Sequence, residues 1–414
     1  MPKMVEELLH QFLDLWWGCD TSVPLLGPTY TPRQKLATEK RLGREIDALV
    51  NKLESLPRTN SNRQAVQERI IASAGEIAKT TFGLEDRHLE AIRGYGFLDV
   101  LTAFAQMARL FDPAVDFESI YQASRNAWSM NIMQLFMGLP MQLTPSIFAY
   151  SMLYPYTDNY LDDPAIPEET KLAFNQRFRS RLEGETVIPV NAYEEKIYNL
   201  VGMVEGQFER TLYPQVYESL LAIHRAQWSS LSLIRRDASP YEVDVLALSF
   251  EKGGSSVLAD GYLISGTLTP EQRELMFHYG AFTQLMDDLE DVQQDRQNGI
   301  LTVFSQTAGR WPLDAVTNRT FHFGAGLLER LNAIEGDNLA PLKDTFKRAI
   351  MPLLIISVGS LGRFYTRGYR RGLEVHLPFR YSFLEEQRKK LNRRKLSLVK
   401  MSELLLESIP VAVH

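Results

Sequence analysis

Cysteine is nearly absent. The single one in 414 residues, Cys19, leaves no partner for a disulfide framework and too few thiolates for a zinc or iron–sulfur cluster. A reducing compartment, the cytoplasm, is the expected home. A basic excess is also missing. Lys plus Arg number 45 against 51 Asp plus Glu, for a formal net charge of −6, whereas a global nucleic-acid footprint would lean the other way. Zinc spacings of the HExxH kind, a P-loop and a strand-anchored GxGxxG do not occur, and the seven histidines are scattered. His278 is expected to be a packed or surface residue. Internal repeats and low-complexity tracts are lacking, and the best period-two run is only Val187–Val190.

An uninterrupted apolar leader is not seen either, because Glu6, Glu7 and Asp14 punctuate the N-terminal segment. Its apolar residues Val5, Leu8, Leu9, Phe12, Leu13 and Trp16 recur at helical spacing, which predicts an amphipathic helix. The longest stretch without charge, Asn126–Thr157, has 32 residues. It carries Asn126, Asn131, Gln134 and Gln142, and it is interrupted by Pro140, Pro145 and Pro155. Two helices broken at the prolines and buried in protein fit it better than a membrane span.

What is abundant is apolar residue content, 45% against 23% charged, in the proportions of a soluble globular protein. The pattern is helical almost throughout. Helices are expected over Arg33–Leu56, Gln64–Phe82, Glu85–Phe111, Phe117–Gly138, Glu168–Glu183, Ala192–Leu212 and Pro214–Ile234. More are expected over Pro240–Ser265, Pro270–Gln297, Pro312–Gly336 and Ala340–Gly372. Thr269-Pro270-Glu271-Gln272 reads as a threonine cap with a proline start. Arg58–Arg63, RTNSNR, reads as a loop. The fold expected is all-α, with an N-terminal helical extension over residues 1–63, a main helical domain over 64–380 and a basic tail over 381–414.

Two acidic clusters stand out. In Met286–Gly299, Asp287, Asp291 and Asp295 are spaced i, i+4, i+8 and stack on one helix face. Each like-charge pair costs roughly 0.2–0.5 kcal/mol in an isolated helix. No Lys or Arg occurs between Arg273 and Arg296 to offset that cost, so the stack invites a cation. Asp288 and Glu290 point elsewhere and could support the ligands. Asp158, Asp162 and Asp163 form the second cluster, 129 residues upstream counted from Asp158 to Asp287. It abuts the uncharged run, which supplies Trp128, Met130, Met133, Phe136, Met137, Met141, Phe148, Tyr150 and Met152 as core or cavity lining. Carboxylates suit Mg²⁺, which takes one or two of them and fills its shell with water and substrate phosphate. Facing carboxylate stacks over an apolar floor point to a diphosphate ester of a greasy alcohol.

This pair of clusters resembles the metal-binding motifs of the class I isoprenoid synthase superfamily, the terpene cyclases and prenyl-coupling enzymes. Asp287-Asp288, Asp291 and Asp295 keep the spacing of the cyclases' second motif, with Asp in place of Ser/Thr and of Glu. Asp287, Glu290 and Asp291 also look like the D-x-x-E-D of squalene and phytoene synthases. Asp158-x-x-x-Asp162-Asp163 resembles the first motif of squalene synthases and is similar to that of the large-terpene synthases. The likeness covers roughly Tyr95 to Arg371. It implies a helical bundle around a central apolar cavity, with three Mg²⁺ held between the motifs around a prenyl diphosphate.

The same resemblance implies basic groups that assist loss of diphosphate. Lys252 with Gly253-Gly254 looks like the basic sensor and helix break of the cyclases. A double glycine costs about 1 kcal/mol per residue relative to Ala inside a helix, so either a kink with exposed carbonyls or a packing notch is expected there. Arg363, Arg367, Tyr369, Arg370 and Arg371 cluster after an apolar helix. Arg367 and Tyr369, or else Arg380-Tyr381, look like the arginine–tyrosine pair that closes the cyclase site. The cluster also suits a helix end favoured by the macrodipole. Arg388–Lys400 is basic enough to touch anionic lipid, although most such runs are solvated surface. The function implied is that of a Mg²⁺-dependent terpene synthase, a carbon–oxygen lyase. Head-to-head prenyl coupling is the alternative, and a non-enzymatic helical lipid-associated protein the third choice. A prenyl diphosphate, no nucleic acid, peripheral membrane contact through the tail and a homodimer are the partners compatible with it.

Overall fold

Helix signals written in the sequence are used where they stand. Backbone N–H of Gln272 donates to Thr269 Oγ1 at 3.3 Å, Thr269 N–H donates to Gln272 Oε1 at 2.9 Å, and Pro270 opens the helix behind this box. Asp116, Thr144, Asn191 and Asp244 cap other helices through their side chains. The computed structural model describes residues 2–54, 63–163, 165–234, 239, 242–336 and 339–394, with the side chains of 54, 63–67, 69 and 162 left aside. Most of the RTNSNR segment, and the tail from 395 onward, lie outside the described residues.

Among the described residues the chain is all-helical. In order come α1 (Lys3–Gly18), α2 (Pro32–Glu54), α3 (Arg63–Phe82), α4 (Asp86–Gly94), α5 (Phe97–Phe111), α6 (Phe117–Phe136), α7 (Pro145–Asp162), α8 (Glu168–Glu183) and α9 (Ala192–Gln207). Then follow α10 (Pro214–Ser230), α11 (Val245–Ser265), α12 (Pro270–Glu290), α13 (Val292–Asn298), α14 (Val303–Thr307), α15 (Asp314–Ala333), α16 (Ala340–Ser360), α17 (Arg367–Glu374) and α18 (Tyr381–Arg393). No described helix is long and apolar enough to cross a membrane. The period-two run at Val187–Val190 forms no strand. Where one helix is expected over Glu85–Phe111, two are found, because Gly96 adopts a positive φ between them. The uncharged run breaks between α6 and α7, at Pro140 and Pro145, while Pro155 is accommodated inside α7.

Contacts divide the chain into two units, neither of them a continuous stretch. The first comprises Met1–Cys19, Ala103–Gln306 and Glu329–Ile334, and the second the remainder. In the first unit α11 is buried on all sides, with α1, α6, α7, α10 and α12 packed around it. Its sequence is apolar on most of its circumference, as a central helix requires, with Lys252, Ser256 and Asp260 on the remaining face. In the second unit α16 packs against α3, α4, α17 and α18, and α2 against α3.

The tightest crossing joins α11 to α12. A Cβ on Gly253 would lie 2.4 Å from Gly280 O, and a Cβ on Gly280 would lie 2.1 Å from Gly253 O. A Cβ on Gly254 would lie 2.5 Å from the Phe277 ring. The double glycine therefore acts as a packing notch. Across this pair α11 is one helix from Val245 to Ser265.

Candidate functional site

Lys252, Ser256 and Asp260 stand at i, i+4, i+8 on α11 and so share one face. All three line a cavity of about 670 Å³ within the first unit. Its wall also takes residues from α6, α7, α8, α10 and α12. Leu153, Phe178, Leu182, Leu220, Ile223 and Val257 give it apolar patches, alternating with polar side chains such as Gln122, Ser129, His224 and Gln227. Of the aromatic and methionine side chains in the uncharged run, Tyr150 and Tyr154 line this cavity. Met130, Met133, Phe136, Phe148 and Met152 are buried in the core instead, and Trp128 is exposed.

One end of the cavity is acidic and basic together. Asp287, Glu290 and Asp291 lie in the wall there, with Lys252 and Arg125. Solvent reaches Asp287 through the cavity, yet protein hems in its other sides and pushes its carboxyl up to about 6. Arg125 opposes that rise, while Glu290 and Asp291 add to it. The stack does not remain on one helix, because α12 ends at Glu290 and α13 begins at Val292. Its register survives the break. Asp291 N–H donates to Asp287 O and Asp295 N–H to Asp291 O, both at 2.9 Å.

The remaining acidic residues of that stretch face protein. Asp295 is 8% exposed and is pushed up to about 7 by burial, with Asp288 and Asp291 adding to the rise. Asp288 is pushed up to about 6 by burial, although it accepts a 2.8 Å hydrogen bond from Gln284. Glu290, assigned to a supporting role by spacing, is thus on the wall, and Asp295 is not among the lining residues.

From the upstream cluster, Asp158 borders the cavity from behind. Its Oδ1 accepts from Gln227 Nε2, and both Gln227 and Thr157 line the wall. Asp163 is exposed at the end of α7 and accepts Ala165 N–H at 2.8 Å. Asp162 is the last residue of α7, and its side chain lies outside the described residues. Among the described residues no three His, Cys, Asp or Glu side chains converge to hold a metal ion unaided.

Arg363, Arg367, Tyr369 and Arg370 belong to the second unit. Arg363 sits 4.6 Å over the Phe364 ring. Arg367 opens α17. Tyr369 donates to Asn318 Oδ1 at 2.7 Å and stacks on Tyr365. Arg370 donates to Gly359 O at 3.3 Å and lies over Tyr381. The other candidate, Arg380, is paired with Glu39 at 2.6 Å. Arg388 to Arg394 of the basic run lie in or at the end of α18, and Lys390 pairs with Asp47.

Arg125 and Asp260 went unnoticed in the sequence. Arg125 is the last charge before the uncharged run, and that position was its one signal. Asp260 is one of three charged residues in α11, with Glu251 and Lys252. It is fully buried and accepts a 3.2 Å hydrogen bond from Asn126 Nδ2, which also reaches Ser151 Oγ at 3.3 Å. Burial pushes its carboxyl up to about 8. Between about pH 4 and about pH 8 the folded protein keeps this proton while the unfolded chain loses it, so stability falls as pH rises through that range. Asp260→Asn should remove this slope. Against the native protein it should gain on the order of 1 kcal/mol per pH unit between about pH 5 and about pH 7, measured by urea unfolding.

Comparison with protein-family models, with curated proteins and with solved structures finds no match to this chain. The reading of the site therefore rests on its own chemistry.

Proposed function

We propose that the protein is a Mg²⁺-dependent terpene synthase that ionises a prenyl diphosphate and lets the carbocation cyclise in this cavity. One observation carries the reading: a single cavity has Asp287, Glu290 and Asp291 beside Lys252 and Arg125 in its wall, with Leu153, Phe178, Leu182 and Leu220 among the mixed polar and apolar side chains elsewhere. Its volume of about 670 Å³ suits a ligand of moderate size. The donors are hard carboxylate oxygens, the ligand type that Mg²⁺ takes one or two of while substrate phosphate and water fill its shell. When bound, such ions supply Lewis-acid charge to the departing diphosphate. Lys252 and Arg125 add fixed positive charge at the same end, while Leu153, Phe178, Leu182, Leu220 and Val257 offer apolar contact to the hydrocarbon.

Coupling of two prenyl diphosphates is the second reading. It is favoured by the presence of Asp287, Glu290 and Asp291 in the wall, the set that resembles D-x-x-E-D, in place of Asp295. Incubation of the purified protein with Mg²⁺ and prenyl diphosphates from geranyl upward separates the two. Diphosphate release with a terpene of the substrate's own carbon number supports the first, and a doubled chain the second. Absence of both turnover and Mg²⁺-dependent binding at every chain length sinks the enzyme reading. Arg125→Ala should weaken binding of inorganic diphosphate with Mg²⁺ about tenfold, measured by calorimetry, because a charged hydrogen-bond donor is lost.

A further inference from the structure

Opposite in character to the Lys252 end is the cavity wall around Asp260. Lys252 and Asp260 are eight residues apart on one helix face, about 12 Å along the axis. Asp260 Oδ1 accepts from Asn126, but Oδ2 has no hydrogen-bond partner among the described residues, and the side chain is fully buried. An uncompensated buried carboxyl is costly, and no described residue offers it a counter-charge. The influences on it are burial and the neutral Asn126 from α6. Tyr150 of α7 and Tyr279 of α12 are the titratable groups within its electrostatic reach, and both are held neutral by burial. Both rings line the cavity together with Phe178. Aromatic faces attract cations, and Asp260 provides the negative charge that such a ligand lacks.

We propose that this end of the cavity is a binding site for an organic cation on a hydrocarbon body, with Asp260 as its counter-ion. A tertiary ammonium is the stable form of such a ligand. The site stands on its own geometry. Only the identification of its natural occupant with a carbocation rests on the terpene synthase reading. The cavity then has two poles, an anion-binding one at Lys252 and Arg125 and a cation-binding one at Asp260. Ammonium binding ionises Asp260, and the proton leaves to solvent.

The test uses full-length protein without Mg²⁺, with N,N-dimethyldodecylamine and dodecanol as probes, titrated calorimetrically at neutral pH. The amine is expected to bind the native protein at least about tenfold more tightly than the alcohol. Asp260→Asn should erase that preference while leaving the alcohol unaffected. Proton release is read from the native protein alone, in buffers of different ionisation heat, so the result does not depend on the variant folding. The amine should release close to one proton and the alcohol none. Equal binding of the two probes by the native protein, or amine binding without proton release, overturns the proposal. Asp260-dependent amine binding in a protein that turns over no prenyl diphosphate sustains this site and removes the terpene synthase reading. Turnover together with Asp260-independent amine binding does the reverse.

Discussion

Asp287→Ala is expected to reduce Mg²⁺-dependent diphosphate release by about a hundred- to a thousandfold, the scale of losing one element of transition-state charge stabilisation. The protein should remain folded. Asp287 is reached by solvent, and its carboxyl is held above the usual range by burial and by Glu290 and Asp291, so removing it relieves repulsion. Activity and stability should therefore move in opposite directions, as they do where a site keeps an unfavourable arrangement for function. The measurement is diphosphate release under saturating Mg²⁺ alongside a urea melt. Activity within a fewfold of the native protein would remove Asp287 from the site. Loss of both activity and fold would instead make it a structural residue.

Gly280→Ala carries the largest expected cost in stability, about 3 kcal/mol or more. The added methyl would lie 2.1 Å from Gly253 O and 2.7 Å from Gly253 C, and both are backbone atoms of a central helix. A flexible side chain could turn aside, but a helix backbone moves only by separating α11 from α12. That shift would also displace Lys252 and Asp287, which these two helices bring to one cavity wall. A lowered urea midpoint with an unchanged slope is the outcome expected. A midpoint within experimental error of the native one would show that the crossing is looser than described.

Much of the local structure was legible. The Thr269 capping box, the Pro270 start and the helical period around α11 depend on residues within one or two turns of each other, and these appear in the structure as read. Asp287 and Asp291 were legible as a stacked pair for the same reason. The loss of Asp295 from the cavity wall was not. It follows from burial against neighbours, which a period of four does not record. Glu290 was misread for the same reason, since its place on the cavity wall depends on which segments surround the end of α12.

Sequence alone determined the helical class, the capped start at Thr269-Pro270 and the presence of an acidic stack without local cations, because each depends on neighbours in the chain. Tertiary structure decided which carboxylates meet Lys252 and Arg125 around a cavity, that Asp260 is buried without a counter-charge among the described residues, and that the Gly253-Gly254 pair is a contact with Gly280. It also assigned the late arginines to a unit other than the one holding the cavity. Those outcomes are set by packing between segments far apart in the chain, and a helical period reports only which residues share a face, not what that face meets.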